Sequence, residues 1–212
     1  MNRSVSNLAA GRPLCVVVEG LDGSGKSTLV RRLADELGAE MLSTSAAVTP
    51  DVRRAFDEEH GTRGMTRQLF YAYMVSLTSD RARELLRRGR SVVIDRYWSS
   101  TLAYPRAIEE RRFSAPEVER HLVRPDVTVF LDVDRDTRHR RMTSRSVQLG
   151  EIDSLSLERE QALLAAFDDE LRIGLAVGRL VRVSGSNPPE AIVAEVAIML
   201  SAISSTPSGG DE

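Results

Sequence analysis

The sequence predicts an α/β fold in three layers, with a parallel sheet between two layers of helices. Short apolar segments rich in valine alternate along the chain with longer segments of helical periodicity. That alternation is typical of a parallel sheet whose strands are joined by helices. The first apolar segment also runs into a glycine-rich loop that opens a helix, and polar residues follow later segments directly. Because ligands bind such sheets at the carboxyl ends of the strands, we expect a site at that edge.

Composition limits the possible classes of protein. The 212 residues are enough for one α/β domain with a full core. A formal net charge of −2 does not indicate a nucleic-acid-binding surface. The single cysteine, Cys15, excludes an intramolecular disulfide framework and is expected to be a packed thiol. Since no apolar run reaches membrane-spanning length and residues 1–13 lack a signal-peptide core, we expect a cytoplasmic protein without membrane or nucleic-acid partners.

The first half of the chain contains three predicted strands. Valines predict a buried strand at 15–18, and Leu29, Leu33 and Leu37 recur at helical spacing after the glycine loop. Gly89 is a plausible stop for a long helix that precedes the third strand. The remaining predicted elements are a short strand at 41–42, a loop at 43–50, helices at 51–59 and 66–88, and a strand at 91–95.

The second half repeats the alternation of helix and strand. Pro125 introduces an apolar strand, and a turn-rich segment precedes the last amphipathic helix. The predicted elements are helices at 101–110 and 115–122, a strand at 127–131, a helix at 135–143, a polar loop at 144–153, a helix at 155–175, a strand at 180–183, a loop at 184–189, and a helix that ends near residue 203.

A phosphate-binding sequence joins the first strand to the first helix. Residues 20–27, which we call the phosphate loop, match G-x-x-x-x-G-K-[ST] without a mismatch. Its glycines let backbone N–H groups wrap a phosphate chain at a helix N-terminus. Lys26, the one lysine of the chain, is predicted to reach the β/γ-phosphates, and the Ser27 hydroxyl to bind Mg²⁺. The residues predicted to hold the donor nucleotide here are Gly20, Asp22, Gly23, Ser24, Gly25, Lys26, Ser27 and Thr28.

Charged residues after other strands indicate phosphoryl transfer. Asp95, at a strand end, would hold Mg²⁺ directly or through water, and Arg96 beside it would clamp a phosphoryl acceptor. Arg141 and Arg145 are four residues apart and lie on one helix face if the helix continues that far. Movable guanidinium groups suit a reaction that depends on positioning and on charge stabilisation.

Three segments resemble the thymidylate kinase family of P-loop nucleoside monophosphate kinases: GLDGSGKST at 20–28, VVIDRYWSST at 92–101 and RPDVTVFLDVD at 124–134. The resemblance spans about residues 13–200. DRYWSSTLAY at 95–104, the Phe70-Tyr71 pair and VRRAFDEE at 52–59 are most similar to the mitochondrial-type UMP/CMP kinases of this family.

The resemblance implies the reaction ATP + NMP ⇌ ADP + NDP with Mg²⁺ on a five-stranded parallel core. It also implies a P-loop NTPase architecture with a short lid at about 144–153, and a homodimer formed through helices in the 50–110 region. We expect a flexible N-terminus at 1–12, a single kinase domain at 13–203, and a disordered polar tail at 204–212.

The family's acceptor-site residues carry over to matching residues here. Asp22 would bond the acceptor sugar hydroxyl, and Arg96 and Arg53 would hold the acceptor phosphate. Phe70 would stack on the acceptor base, and Tyr104 would sit against the sugar where a 2′-hydroxyl is sensed. The resemblance also places Ser100 and Thr101 in the acceptor site.

On the donor side, the resemblance implies that Arg141 lies over the adenine and that the 184–189 loop lines the adenine pocket. Asp95 would assist the metal. Gly23 stands where some members place a catalytic arginine, so the resemblance assigns that task to the lid, with Arg145 as the lid arginine.

Two departures from the family affect the acceptor base. Thymidylate kinases usually have an arginine that reads the thymine edge four residues after the stacking phenylalanine. Here that place is taken by Met74, or by Val75 if Tyr71 is the stacking residue, and Thr101 replaces an asparagine. The Asp-Arg-Glu-Pro-Gly type loop after the second strand is also absent, and residues 43–50 replace it. We therefore expect a pyrimidine acceptor such as dTMP, dUMP, dCMP, UMP or CMP rather than strict use of dTMP.

Several alternatives stay open at this point. Asp95 and Arg96 would otherwise form a surface ion pair, and Phe70, Tyr71 and Tyr104 would be ordinary core. Arg135, Arg138 and Arg140 are expected to form a solvated helix face. The functional alternatives are a kinase for a modified or pathway-specific nucleotide, and a nucleotide-binding sensor without turnover.

Overall fold

The computed structural model describes residues 12–61, 63–110, 112–144 and 156–204. One five-stranded sheet has the order β2-β3-β1-β4-β5, and every neighbouring pair is parallel. The predicted fold class is confirmed. The strands are β1 (Cys15–Gly20), β2 (Glu40–Ser43), β3 (Val92–Asp95), β4 (Val127–Asp132) and β5 (Arg179–Ser184).

The helices follow the predicted order with small differences at their ends. The 43–50 loop contains a 3₁₀ turn at Thr44–Ala46, and Gly89, with φ 74°, follows the end of the long helix as predicted. The helix predicted at 101–110 begins earlier, at Trp98. The α-helices in the described residues are α1 (Lys26–Leu37), α2 (Pro50–His60), α3 (Met65–Arg87), α4 (Trp98–Ile108), α5 (Pro116–His121), α6 (Arg135–Thr143), α7 (Leu157–Ile173) and α8 (Pro189–Ser204).

The side chains of successive β1 residues lie on opposite faces of the sheet. Val16 and Val18 pack with side chains of α1 and α8, whereas Cys15 and Val17 pack with side chains of α3 and α4. A further cluster around Phe130 joins α4 and α7. The helices therefore cover both faces, as the three-layer prediction requires. Burial raises the pKa of the Cys15 thiol to about 12, which fits a packed rather than a reactive group.

Strand register brings the predicted site residues to one edge of the sheet. Val18 of β1 pairs with Asp95 of β3, so the phosphate loop and Asp95 follow neighbouring strands. On the other side of β1, Gly20 pairs with Leu131, and Asp132 pairs with Ser184 of β5. The phosphate loop, Asp95 and the 184–189 loop therefore meet at the carboxyl edge.

Some predicted features lie outside the described residues. These are Arg145, nearly all of the lid at 144–153, the N-terminus at 1–12 except Arg12, and the tail at 204–212 except the end of α8. Arg12 pairs with Asp126 at 2.5 Å. The domain boundaries therefore remain a prediction. Within the described ranges, no helix is both long and apolar enough to cross a membrane.

Candidate active site

The phosphate loop packs tightly against its surroundings. Gly20 has φ 144°, and a Cβ there would lie 2.8 Å from the carbonyl oxygen of Leu131. Gly23 has φ 78°, and its Cβ would lie 2.8 Å from the carbonyl oxygen of Arg138 in α6. Both positions therefore require glycine for backbone conformation and for space. Gly25, with φ 101°, is the N-cap of α1.

The Lys26 side chain is buried and is surrounded by the backbone of this loop. Its Nζ donates to the carbonyl oxygen of Leu21 at 2.7 Å and lies 3.8 Å from a carboxylate oxygen of Asp22. Burial lowers the pKa of Lys26 to about 7, and the nearby positive charge of Arg96 acts in the same direction. A phosphate chain bound beside Lys26 would therefore stabilise its charged form.

Asp22, Arg96 and Tyr104 form a hydrogen-bonded set that we call the acceptor cluster. The Arg96 guanidinium is ion-paired with Asp22 and donates to the Tyr104 hydroxyl at 3.1 Å. The Tyr104 hydroxyl donates to Asp22 Oδ2 at 3.3 Å. Burial raises the pKa of Asp22, but the charges of Arg96 and Lys26 outweigh that effect and the pKa is lowered. The structure thus brings together three of the residues predicted for the acceptor.

Glu19 holds the start of α4, the helix that carries Tyr104 of the acceptor cluster. This role of Glu19 was not predicted. It is fully buried, and its Oε1 accepts from the backbone N–H groups of Tyr97 at 2.9 Å and Ser100 at 3.2 Å. Its Oε2 accepts from the Ser100 hydroxyl at 2.5 Å. Burial raises the pKa of Glu19, and the hydrogen bond from Ser100 opposes that shift. These bonds explain why α4 begins at Trp98 rather than near residue 101.

The backbone of Arg96 is in the left-handed region, with φ 64°, which is uncommon for a residue other than glycine. Hydrogen bonds hold it there on both sides. Its N–H donates to the carbonyl oxygen of Val18 at 3.1 Å, and its carbonyl oxygen accepts from the Thr44 hydroxyl at 2.7 Å. This conformation turns the guanidinium towards Asp22.

The two predicted metal ligands lie in contact. Ser27 Oγ donates to Asp95 Oδ2 at 2.9 Å. Within the described ranges, no group of three or more His, Cys, Asp and Glu side chains is arranged to hold a metal. One hydroxyl and one carboxylate oxygen suit Mg²⁺ when nucleotide phosphates and water complete its shell. The donor set therefore fits a metal that arrives with the nucleotide.

Arg141 links the phosphate loop to the 184–189 loop. It donates to the carbonyl oxygens of Ser24 at 3.0 Å and Gly185 at 2.9 Å. A cleft of about 240 Å³ lies beside it, and we call this the donor cleft. Residues that line the donor cleft include Gly25, Thr28, Leu131, Arg141, Asn187 and Pro189. Of the residues predicted for the donor, Ser24, Gly25, Thr28 and Arg141 line this cleft.

The prediction of a solvated arginine face on α6 is wrong for Arg138. This residue is 5% exposed, forms an ion pair with buried Glu160 of α7, and donates to the carbonyl oxygen of Asp22 at 3.2 Å. Arg135 also approaches Glu160, at 3.7 Å. Arg140 is exposed, as predicted. Arg138 thus joins α6 and α7 to the phosphate loop.

The predicted base-reading region lies on α3 and α4. Phe70 is half-buried, and its ring is stacked on Phe56 of α2. Met74 is fully buried, and the Thr101 hydroxyl donates to the carbonyl oxygen of Tyr97 at 3.3 Å. Arg53 is half-buried in α2. The two positions at which the resemblance implies base-reading groups therefore hold a buried thioether and an internally bonded hydroxyl.

Comparison with known proteins identifies the family. The sequence profile described as thymidylate kinase matches residues 18–196. The chain belongs to the thymidylate kinase family. Thymidylate kinases of Cereibacter sphaeroides and Jannaschia sp. are similar to it, at 29% identity over 211 residues and 31% over 171 residues. These alignments cover 87% and 73% of this chain, and 93% and 81% of the two relatives.

A solved structure shows the same fold. The thymidylate kinase of Candida albicans superimposes with a TM-score of 0.68 at 19% identity, covering 91% of this chain and 92% of that one. The predicted enzyme class is confirmed, since membership of the thymidylate kinase family makes this chain a nucleoside monophosphate kinase with ATP as phosphoryl donor. The narrower similarity to UMP/CMP kinases remains a prediction.

Three site residues escaped sequence reasoning or were misjudged. The sequence offers a weak indication for Glu19, because an acidic residue next to an apolar strand needs hydrogen-bond donors when it is buried. Nothing in the sequence indicates the burial of Arg138, since its partner Glu160 lies on another helix. Phe56 lies in the helix predicted at 51–59, but its stacking on Phe70 of α3 was not predicted.

Proposed function

We propose that this thymidylate kinase homologue transfers a phosphoryl group from ATP to a pyrimidine nucleoside monophosphate, with dTMP accepted and dUMP, dCMP, UMP or CMP accepted as well. The observation that carries the proposal is the position of the acceptor cluster directly against the phosphate loop. Asp22 belongs to both, because it pairs with Arg96 and lies 3.8 Å from Lys26 Nζ. Donor and acceptor phosphates held by these residues would meet at one place.

The proposed reaction is an in-line transfer. An oxygen of the acceptor phosphate forms a bond to the γ-phosphorus of ATP, the bond to the β–γ bridging oxygen breaks, and ADP leaves with that electron pair. Arg96 holds the acceptor phosphate, with Arg53 as its proposed second contact. Lys26 and the loop N–H groups bind the donor phosphates. Mg²⁺, when bound through Ser27 and Asp95, supplies further charge neutralisation.

Two observations support a broadened choice of base. Met74 offers no hydrogen bond, and the Thr101 hydroxyl is already bonded to the backbone. The Candida albicans thymidylate kinase is itself described as having a broad substrate specificity. Because an unpaired base edge typically changes discrimination by about 1–3 kcal/mol, we expect kcat/KM values for the pyrimidine acceptors to differ less than in a strict thymidylate kinase.

A homodimer is part of the proposal. Met65, Leu69 and Tyr73 recur every four residues along α3 and are each about half exposed. Val52 of α2 is similarly exposed. This apolar stripe lies within the 50–110 region through which the resemblance implies that two copies associate, and sedimentation equilibrium measures the association directly.

The proposal is tested by incubating the protein with MgATP and a panel of nucleoside and deoxynucleoside monophosphates. We expect ADP and the corresponding diphosphate with dTMP and with at least one cytosine or uracil nucleotide. Absence of ADP above background for every acceptor would overturn the proposal. Tight ATP binding without any transfer would instead favour the sensor, and transfer restricted to a modified nucleotide would favour the pathway-specific kinase.

A further inference from the structure

We propose that Phe56 and Phe70 are the two walls of an aromatic clamp for the acceptor base. The proposal rests on the proposed function and adds Phe56 as a specificity-determining residue. The two rings lie nearly parallel, with an interplanar angle of 6° and centroids 4.0 Å apart. This is the arrangement that a flat base adopts on a phenylalanine, so each ring occupies the place where a base would stack on the other.

The helix that carries Phe56 is weakly attached to the rest of the protein. None of the residues of α2 is buried. Besides the ring stack, α2 is joined to α3 by the ion pair between Asp57 and Arg67. Elements with few buried apolar contacts open at low free-energy cost. Phe56 can therefore move away from Phe70 without disturbing the sheet or its core.

The required movement is small. Aromatic atoms pack at separations of about 3.5–4 Å, so a base between the rings needs them roughly 7–8 Å apart. Starting from 4.0 Å, α2 would shift outward by about 3–4 Å. His60 contacts the Phe56 ring, with centroids 4.8 Å apart and a 58° tilt, so the ring moves as part of a small aromatic unit.

Arg53 links the clamp to the acceptor phosphate. It precedes Phe56 by three residues, so it lies on the same face of α2 and about 4.5 Å away along the helix axis. In the described part of the chain, no ion pair engages its guanidinium. One nucleotide would thus bind α2 twice, through its phosphate at Arg53 and through its base at Phe56, and would hold the helix in place.

An aromatic clamp also explains how a base is held without edge-reading groups. Every pyrimidine offers two flat faces, and stacking on aromatic side chains tolerates changes of base. The neighbouring side chain on α3, Met74, is apolar. The clamp therefore selects a flat ring of pyrimidine size and makes few contacts with the exocyclic groups of the base. This agrees with the proposal that several pyrimidine nucleotides are accepted.

The test compares Phe56→Ala and Phe56→Leu with the wild type, using Glu59→Ala, an exposed substitution on the same helix, as control. Calorimetry measures the Kd of dTMP and of 2-deoxyribose 5-phosphate, which has the phosphate and sugar but no base. We expect Phe56→Ala to weaken dTMP binding about tenfold and Phe56→Leu to weaken it less, because stacking on one aromatic ring is lost. Binding of 2-deoxyribose 5-phosphate, the KM for ATP and all Glu59→Ala values should stay unchanged.

Equal or tighter dTMP binding by Phe56→Ala would overturn the clamp, because Phe56 would then be irrelevant or a competitor of the base. A parallel loss for 2-deoxyribose 5-phosphate would overturn it too, since α2 would be generally damaged. If the wild type binds dTMP but transfers no phosphate to any acceptor, the proposed function is wrong and the clamp is not affected. If the wild type binds no monophosphate, both the proposed function and the clamp are wrong.

Discussion

Ser27 and Asp95 are 68 residues apart in sequence, yet Ser27 Oγ donates a hydrogen bond of 2.9 Å to Asp95 Oδ2. The parallel pairing of β1 with β3 causes this contact, because Val18 and Asp95 are in register and the loop after β1 turns back over the strand end. The two oxygens are thus held within hydrogen-bonding distance of each other. Both oxygens would be available to a bound divalent cation if the Ser27 hydroxyl turned its proton away from Asp95.

This pairing predicts a specific effect of Asp95→Asn. The amide retains a hydrogen-bonding oxygen for Ser27 but lacks the negative charge that attracts Mg²⁺. We expect the Mg²⁺ concentration for half-maximal activity to rise about tenfold, with the melting temperature nearly unchanged. Titration of activity with MgCl₂ at constant free ATP measures this effect. An unchanged Mg²⁺ dependence would contradict the assignment of Asp95 to the metal.

The low pKa of Lys26 predicts a pH effect on stability and on binding. Its pKa is about 7 in the folded protein against 10.5 for an ordinary lysine, so the unfolded state binds more protons between these values. The free energy of unfolding therefore gains a contribution that increases as the pH rises from about 7 to 10. A bound triphosphate would raise the pKa of Lys26, so ATP binding at pH 8 should take up a proton.

Calorimetry in two buffers of different ionisation enthalpy at pH 8 measures that proton uptake. We expect buffer-dependent heats for the wild type. Lys26→Met, which keeps most of the buried aliphatic chain, should show no such dependence and should lose at least about a thousandfold in kcat, since the donor phosphates lose their ammonium contact. Equal buffer dependence in both proteins would rule out Lys26 as the group that titrates.

The buried carboxylate of Glu19 predicts a stability effect. Glu19→Ala leaves three donors at the start of α4 without their acceptor, and we expect the free energy of unfolding to fall by about 2–4 kcal/mol. Glu19→Gln keeps one carbonyl oxygen for the two N–H groups and should lose about 1 kcal/mol. Urea denaturation distinguishes the two variants. Identical losses would show that the charge of the carboxylate, rather than the carbonyl oxygen that Gln retains, is what stabilises the start of α4.

Arg141 and Arg140 form a matched pair on α6. Arg141 lines the donor cleft, whereas Arg140 is exposed and donates to Thr137 Oγ1 at 2.8 Å. We expect Arg141→Ala to raise the KM for ATP about tenfold and to leave the KM for the acceptor unchanged, because Arg141 lines the donor cleft and the residues of the acceptor cluster do not. Arg140→Ala should behave as the wild type in steady-state assays. Similar effects of both substitutions would indicate a general electrostatic contribution instead.

Much of the fold follows from local sequence patterns. The strands at 15–18 and 91–95 are short, apolar and end next to the predicted site residues, so both their type and their position in the sheet were predictable. The long helix predicted at 66–88 is observed as Met65–Arg87, because helical periodicity and Gly89 mark its ends. The phosphate loop was the clearest case, since its chemistry demands glycines and a lysine at fixed spacing.

Pairings between distant residues were harder to predict. An arginine in a run of charges is usually solvated, and nothing near Arg138 in sequence indicates that Glu160 of α7 will bury it. The stack of Phe56 on Phe70 likewise depends on how α2 packs against α3. Helical spacing predicts which face of each helix is apolar, but it does not specify which two faces meet.

The close approach of Gly23 to α6 limits where this protein can carry positive charge beside the donor phosphates. A side chain at residue 23 would require α6 to lie farther from the phosphate loop, because the Arg138 carbonyl oxygen lies 2.8 Å from where a Cβ would be. Moving α6 would also disturb the hydrogen bond that Arg141 donates to the carbonyl oxygen of Ser24. A cation at residue 23 would thus be gained only at the expense of one that α6 already supplies.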